Sequence, residues 1–126
     1  MGALLVVDDD PDAAETLAEL LQYEGHEVRV AYDGREGLEL IHTRLPDLIL
    51  LDVDMPLLDG PGMAYAMLLH DAGQENVPIL LVSGIPNLDE VAQRVGTPYR
   101  LGKPITCEHL LATVERALLE RTPPRR

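Results

Sequence analysis

The segment ALLVVDDDP, residues 3–11, decides the fold class of this chain. An apolar run without polar interruption is typical of a strand that is buried on both faces of a parallel sheet. The run ends abruptly at Asp8, Asp9 and Asp10, and Pro11 then stands at a favourable first helical position. The pattern therefore predicts a buried strand, a polar site at its end, and a helix that Asp10 caps.

The same unit of strand and helix recurs along the rest of the chain. Further strands are predicted at residues 27–31, 47–51, 78–82 and 99–101. The helices between them are predicted to begin at Asp33, at residue 63, at Asn87 and at Thr106, with Asp33, Asn87 and Thr106 as N-caps. Alternation of this kind predicts an α/β fold, with a parallel sheet covered by helices on both faces.

Composition limits the classes of protein that the chain can represent. Its 126 residues fit one domain, and the formal net charge of −12 argues against binding nucleic acid unaided. No apolar run approaches the roughly 18 residues of a membrane span, and the acidic start is unlike a signal peptide. The single cysteine, Cys107, suits a reducing compartment. We expect a cytoplasmic domain over residues 1–121, followed by a tail or linker stub over 122–126.

Polar residues follow four of the predicted strands, where parallel α/β sheets bind their ligands. They are Asp8 and Asp9, Asp52, Ser83 and Lys103. Three carboxylates at one edge repel each other, and Mg²⁺ is the cation that would relieve the repulsion through hard oxygen ligands. With a lysine and a hydroxyl beside them, the set predicts a pocket for a phosphoryl group. Asp52 could then be either a metal ligand or the attacking nucleophile.

Four short stretches carry a family resemblance, in the expected order and spacing. VDDD at 7–10, LDVDMP at 51–56 with DG at 59–60, VSG at 82–84 and GKP at 102–104 resemble the signatures of response-regulator receiver domains, chemotaxis regulators among them. The resemblance implies a flavodoxin-like, doubly wound (βα)5 fold with strand order 2-1-3-4-5. It also implies that the chain is a signalling domain and not an enzyme, apart from catalysing its own phosphotransfer and autodephosphorylation.

The resemblance also implies roles for the site residues. Asp9 would bind Mg²⁺ directly, and Asp8 would act on it mainly through water. Asp52 would be both a metal ligand and the phosphoacceptor, and the backbone carbonyl of Asp54 would be the third protein ligand. Ser83 and Lys103 would bind phosphoryl oxygens, and the Lys103–Pro104 bond would be cis. No organic cofactor is implied. The donor would be a phosphohistidine on a sensor histidine kinase or a histidine phosphotransfer protein.

The fifth strand departs from the family pattern, and this affects the expected conformational switch. The family's output face comprises the fourth helix, fifth strand and fifth helix, and a homodimer through that face is left open. Arg100 stands where the family usually has an aromatic residue, and Tyr99 should point to the opposite side. We predict that Arg100 stays on the surface, because burying an unpaired guanidinium is too costly. It should change partners in the switch and pair with an acid of the fourth helix, such as Asp89 or Glu90, in one of the two states.

Two other interpretations of the chain remain. A pseudo-receiver would use the same fold to bind proteins without regulated phosphorylation, but none of the signature acids or the lysine is missing. Asp52-x-Asp54 also matches the Asp-x-Asp of haloacid-dehalogenase-like phosphatases, although there the motif follows the first strand of a larger chain. A small-molecule phosphatase assay would discriminate this enzymatic interpretation from the other two.

Overall fold

The structure, a computed structural model, describes residues 2–52, 70–72 and 74–124. The third helix predicted over residues 63–69 and the predicted metal ligand Asp54 lie outside these ranges. Residues 70–72 are helical and lead toward the fourth strand. Across the described ranges, no helix is both long and apolar enough to cross a membrane.

The sheet consists of five parallel strands in the order β2-β1-β3-β4-β5. The strands are β1 Ala3–Val7, β2 Glu27–Ala31, β3 Leu48–Asp52, β4 Ile79–Ser83 and β5 Tyr99–Gly102. This arrangement confirms the predicted parallel sheet and the order 2-1-3-4-5. Every residue of β3 and β4 is buried, as their uninterrupted apolar sequences predict.

Four helices have both ends within the described residues. They are α1 Pro11–Tyr23, α2 Gly34–Thr43, α3 Leu88–Val95 and α4 Cys107–Glu120, so α3 and α4 are the predicted fourth and fifth helices. The side chains of Asp10, Asp33 and Thr106 accept backbone N–H groups of the first turns, which confirms these caps. The cap predicted at Asn87 is wrong, because its backbone is not extended and its side chain makes no capping hydrogen bond.

The sheet separates two hydrophobic clusters, because successive strand residues point to opposite faces. Leu5, Val7 and their equivalents on β3 and β4 pack with α2 and α3. Leu4, Val6 and the alternate residues of the other strands pack with α1 and α4, and Tyr99 belongs to this second cluster. Helices therefore cover both faces, as predicted, and the carboxyl ends of the strands are left at one edge.

Candidate phosphoryl and metal site

The register of the sheet brings the predicted site residues to one edge. Val7 of β1 is paired with Leu51 of β3, so Asp8 and Asp52 follow at the same height on neighbouring strands. Ser83 is paired with Gly102, which places Lys103 directly after the end of β5. The backbone N–H of Lys103 then donates to the Ser83 carbonyl at 2.9 Å. The sheet alone therefore places these side chains together.

Asp52 and Lys103 form the central contact of the site. Lys103 Nζ lies 2.5 Å from Asp52 Oδ2. The Asp52 side chain is only 3% exposed, whereas that of Lys103 is 36% exposed. A buried carboxylate requires such a partner, since an uncompensated buried charge is costly. The Lys103–Pro104 peptide bond that precedes α4 is cis, as the family resemblance implies.

Asp8 is a second buried carboxyl group beside this pair. It is 2% exposed, and its Oδ1 accepts the backbone N–H of Asp10 at 3.0 Å. Its Oδ2 has no hydrogen-bond partner among the residues that the structure describes. Burial is the main cause that raises the pKa of the Asp8 carboxyl, while the hydrogen bond from the Asp10 N–H and the positive charge of Lys103 oppose that increase.

These acids fit a hard divalent cation. Asp8 and Asp52 are adjacent buried carboxyl groups, and Asp8 Oδ2 accepts no hydrogen bond from the described residues; such a pair is the kind of oxygen donor set that Mg²⁺ accepts. Asp9 is exposed, although its charge adds to the raised pKa of Asp8. Within the described part of the chain, no three His, Cys, Asp or Glu side chains are already arranged to hold a metal ion. Asp8 and Asp52 are thus brought together, and Asp9 lies beside them on the surface.

Ser83 ends β4 and is completely buried. Its Oγ accepts the backbone N–H of Ile85 at 3.1 Å, which tightens the loop before α3. Accepting that N–H uses a lone pair of the hydroxyl oxygen and fixes the position of Oγ. Gly84 leaves ordinary space beside it, since a Cβ there would lie 3.7 Å from Lys103 Cβ. Ser83 and Lys103 therefore share one corner of the site.

A groove of about 450 Å³ opens from the site between α1 and α4. Asp8 and Lys103 stand at its polar end, and Leu17, Leu20 and Leu110 are among its apolar walls. The exposed Cys107 at the start of α4 also lines it. The groove therefore leads from the surface at the start of α4 to Asp8 and Lys103.

The exposed face of β5 carries the ion pair expected from the sequence. Arg100 Nε contacts Asp89 Oδ1 of α3, and both side chains are substantially exposed. Tyr99, its neighbour, is buried on the opposite side of β5. Sequence reasoning did not single out Arg116 and Glu120, which contact Tyr99, because each has the spacing of an ordinary solvent-facing helix residue.

Comparisons with known proteins agree with this architecture. The family model described as response regulator receiver domain matches residues 4–115. The chain is 42% identical to the response regulator MprA of Mycolicibacterium vanbaalenii, over 96% of this chain and 52% of that protein. The chain thus spans about half the length of the curated relatives it matches.

Solved structures give the same result. A CheY-like response regulator receiver domain protein from Methanospirillum hungatei superposes with a TM-score of 0.80 at 26% identity, covering 96% of each chain. The receiver domain of NtrX from Brucella abortus superposes with a TM-score of 0.77 at 34% identity, covering 92% of this chain and 98% of that one. The family model, the relatives and the fold agree, and the chain belongs to the response regulator receiver domain family of two-component systems.

Proposed function

We propose that this chain accepts a phosphoryl group on Asp52 from a phosphohistidine, with Mg²⁺ bound at the adjacent acids. The observation that carries the proposal is the buried Asp52 carboxylate, 2.5 Å from Lys103 Nζ and next to the buried Asp8. The edge of the sheet thus combines a carboxylate that can act as a nucleophile (Asp52), a positively charged side chain (Lys103) and a second acid that can contribute to a metal site (Asp8). Family membership supports it, because phosphorylation and Mg²⁺ are general features of receiver domains.

In the proposed step, a carboxylate oxygen of Asp52 attacks phosphorus and the P–N bond to the donor imidazole breaks. Lys103 holds the carboxylate in place before the reaction and offers positive charge to the incoming phosphoryl oxygens. The Ser83 hydroxyl, which ends β4 beside Lys103, would donate a hydrogen bond to one of those oxygens. Bound Mg²⁺ would neutralise charge shared between the acids and the phosphoryl group.

Asp9 and Asp52 would hold the metal directly through their side chains, Asp8 would act mainly through water, and Asp54 would bind through its backbone carbonyl. The phosphoryl donor would be a sensor histidine kinase or a histidine phosphotransfer protein, entering along the groove between α1 and α4. We further propose that the chain acts in the cytoplasm, with its receiver domain over residues 1–121. A pseudo-receiver role is disfavoured, since both the lysine and the buried acids are at the site.

Intact-protein mass spectrometry tests the proposal. Incubation with acetyl phosphate and Mg²⁺ should add one phosphate, and the adduct should be acid-stable and base-labile. Asp52→Asn should abolish it, whereas Asp71→Asn, which removes a more exposed acid away from the site, should leave it intact. Equal labelling of the Asp52→Asn variant would mean that the phosphoacceptor is another residue.

A further inference from the structure

Tyr99 is the aromatic side chain that β5 turns toward the core, and it is completely buried. Its hydroxyl donates to Glu120 Oε1 at 2.9 Å, at the last residue of α4. The same hydroxyl accepts the backbone N–H of Thr122 at 3.3 Å. One hydroxyl group on β5 thus holds both the end of α4 and the chain that leaves it.

Arg116 reinforces this contact from the surface side. Its guanidinium carbon lies 5.1 Å from the centroid of the Tyr99 ring, within cation–π range. Its Nη2 donates to the Pro98 carbonyl at 3.2 Å, and its Nε lies 3.7 Å from Glu120 Oε1. The Tyr99 ring is therefore packed between the core and the Arg116 guanidinium, which also contacts Pro98 and Glu120.

The chain turns sharply where α4 ends. Arg121 adopts a left-handed conformation with φ 52°, and its N–H donates to the Ala117 carbonyl at 2.8 Å. Its guanidinium lies 3.4 Å from Asp47 Oδ1, before β3. A non-glycine residue at positive φ needs surrounding contacts to stabilise it. Here those contacts direct the C-terminal segment, defined as residues 121–124, against the sheet, where residues 122–124 are partly buried.

β5 connects this anchor to the phosphoryl site. It is an edge strand of four residues that, among the described strands, pairs with β4 alone. Tyr99 is at one end of it and Lys103 follows the other. Four residues of strand span roughly 13 Å. In the proposed function, Lys103 shifts its contact from Asp52 toward a phosphoryl oxygen. β5 should move with Lys103 more easily than a central strand would, because an edge strand has fewer ladder hydrogen bonds to break.

We propose that Tyr99 is a positioning residue that couples the C-terminal segment to β5, so that loading of the phosphoacceptor site changes how that segment is held. The coupling rests on the proposed function, whereas the anchor itself does not. This route runs along the buried side of β5 and is separate from Arg100 on the exposed side.

Amide hydrogen exchange tests the anchor. Tyr99→Phe keeps the ring and removes both hydroxyl contacts, so the Thr122 amide should exchange roughly 5-fold faster, as expected for the loss of one hydrogen bond. Tyr23→Phe, at a tyrosine that is 91% exposed, is the matched control and should change nothing. Glu120→Gln should keep the protection and Glu120→Ala should reduce it. An unchanged Thr122 exchange rate in Tyr99→Phe would overturn the anchor.

Chemical shifts in the presence of Mg²⁺ and beryllofluoride test the coupling. In the unmodified chain the amides of Ser83, Lys103 and Thr122 should all shift. In Tyr99→Phe the shift at Thr122 should be lost, while those at Ser83 and Lys103 persist. Shifts at the site without one at Thr122 in the unmodified chain would overturn the coupling. No shift at Ser83 or Lys103 would overturn the proposed function and the coupling with it, and the anchor would still be decided by hydrogen exchange.

Discussion

Replacing Asp8 by Asn should have opposite effects on the metal-free and the metal-bound fold. Asp8 is 2% exposed, adjoins the buried Asp52, and carries an oxygen without a hydrogen-bond partner among the described residues. Asparagine keeps an acceptor for the Asp10 N–H and replaces the other oxygen by a donor that can face Asp52. The substitution therefore removes one of two crowded negative charges and retains the local turn.

The magnitudes follow from burial. Relief of a buried, incompletely bonded polar group is worth about 1–3 kcal/mol, and we expect a gain near the lower end because Lys103 already offsets part of the charge. In the unmodified chain, Mg²⁺ at 100 times its Kd should add about 2.7 kcal/mol to the free energy of unfolding. For a chain of this size, 1 kcal/mol corresponds to roughly 3–5 °C in Tm.

Thermal unfolding in EDTA and in excess Mg²⁺ measures both effects. Asp8→Asn should raise the Tm in EDTA and lose most of the Mg²⁺ increment. Asp12→Asn is the control, because it changes the net charge by the same amount at an exposed residue in the first turn of α1. A lower Tm of Asp8→Asn in EDTA would refute the argument from crowding. A full Mg²⁺ increment in that variant would refute the assignment of Asp8 to the metal site.

Three further outcomes are expected. Gly84→Ala should fold and accept a phosphoryl group, because the added methyl would lie at an ordinary contact distance of 3.7 Å from Lys103 Cβ. Its free energy of unfolding in urea titrations should rise by about 0.4–1 kcal/mol, because alanine reduces the conformational entropy of the unfolded chain. Loss of labelling would show a tighter site. Arg100→Ala and Asp89→Ala should each cost no more than about 1 kcal/mol, and the double variant should cost no more than their sum, since the pair is exposed. His26 accepts the Gly2 N–H through Nδ1, and burial lowers the pKa of its imidazole below 6.5. The folded state therefore binds a proton at His26 less readily than the unfolded state does. The contribution of neutral His26 to the free energy of unfolding is complete above pH 6.5 and is lost as the pH falls through the folded-state pKa. His26→Gln should flatten that part of a stability–pH curve, and a curve as steep as that of the unmodified chain would exclude His26.

Much of the site was predictable because short local sequence patterns determine where its residues lie. Each apolar strand stops at a polar residue, and parallel strands end at one edge, so the proximity of Asp52 and Lys103 followed from pattern alone. The outward position of Arg100 and its partner on α3 followed from the period of a strand and the cost of burying a guanidinium. Such inferences succeed where one physical rule dominates.

Other features depend on the tertiary structure and could not be predicted. Asp8 and Asp9 are adjacent acids after β1, and the residue pattern did not indicate that the fold buries the first and exposes the second. Asn87 has a favourable side chain for capping, but the loop from β4 delivers it with the wrong backbone angles. Tyr99 and Glu120 are separated by 21 residues and belong to no motif, so only the packing of α4 against β5 brings them together.

The position of β5 at the end of the sheet has a consequence for the behaviour of the chain at high concentration. The outermost strand of a sheet offers free backbone groups to the strand of another molecule, which is a route to aggregation. β5 is only four residues long and places the charged Arg100 on its exposed face. At the other end of the sheet, β2 carries Glu27 and Arg29. Both borders of the sheet thus combine short length with charge, and this arrangement discourages the edge-to-edge growth that such an apolar sheet would otherwise invite.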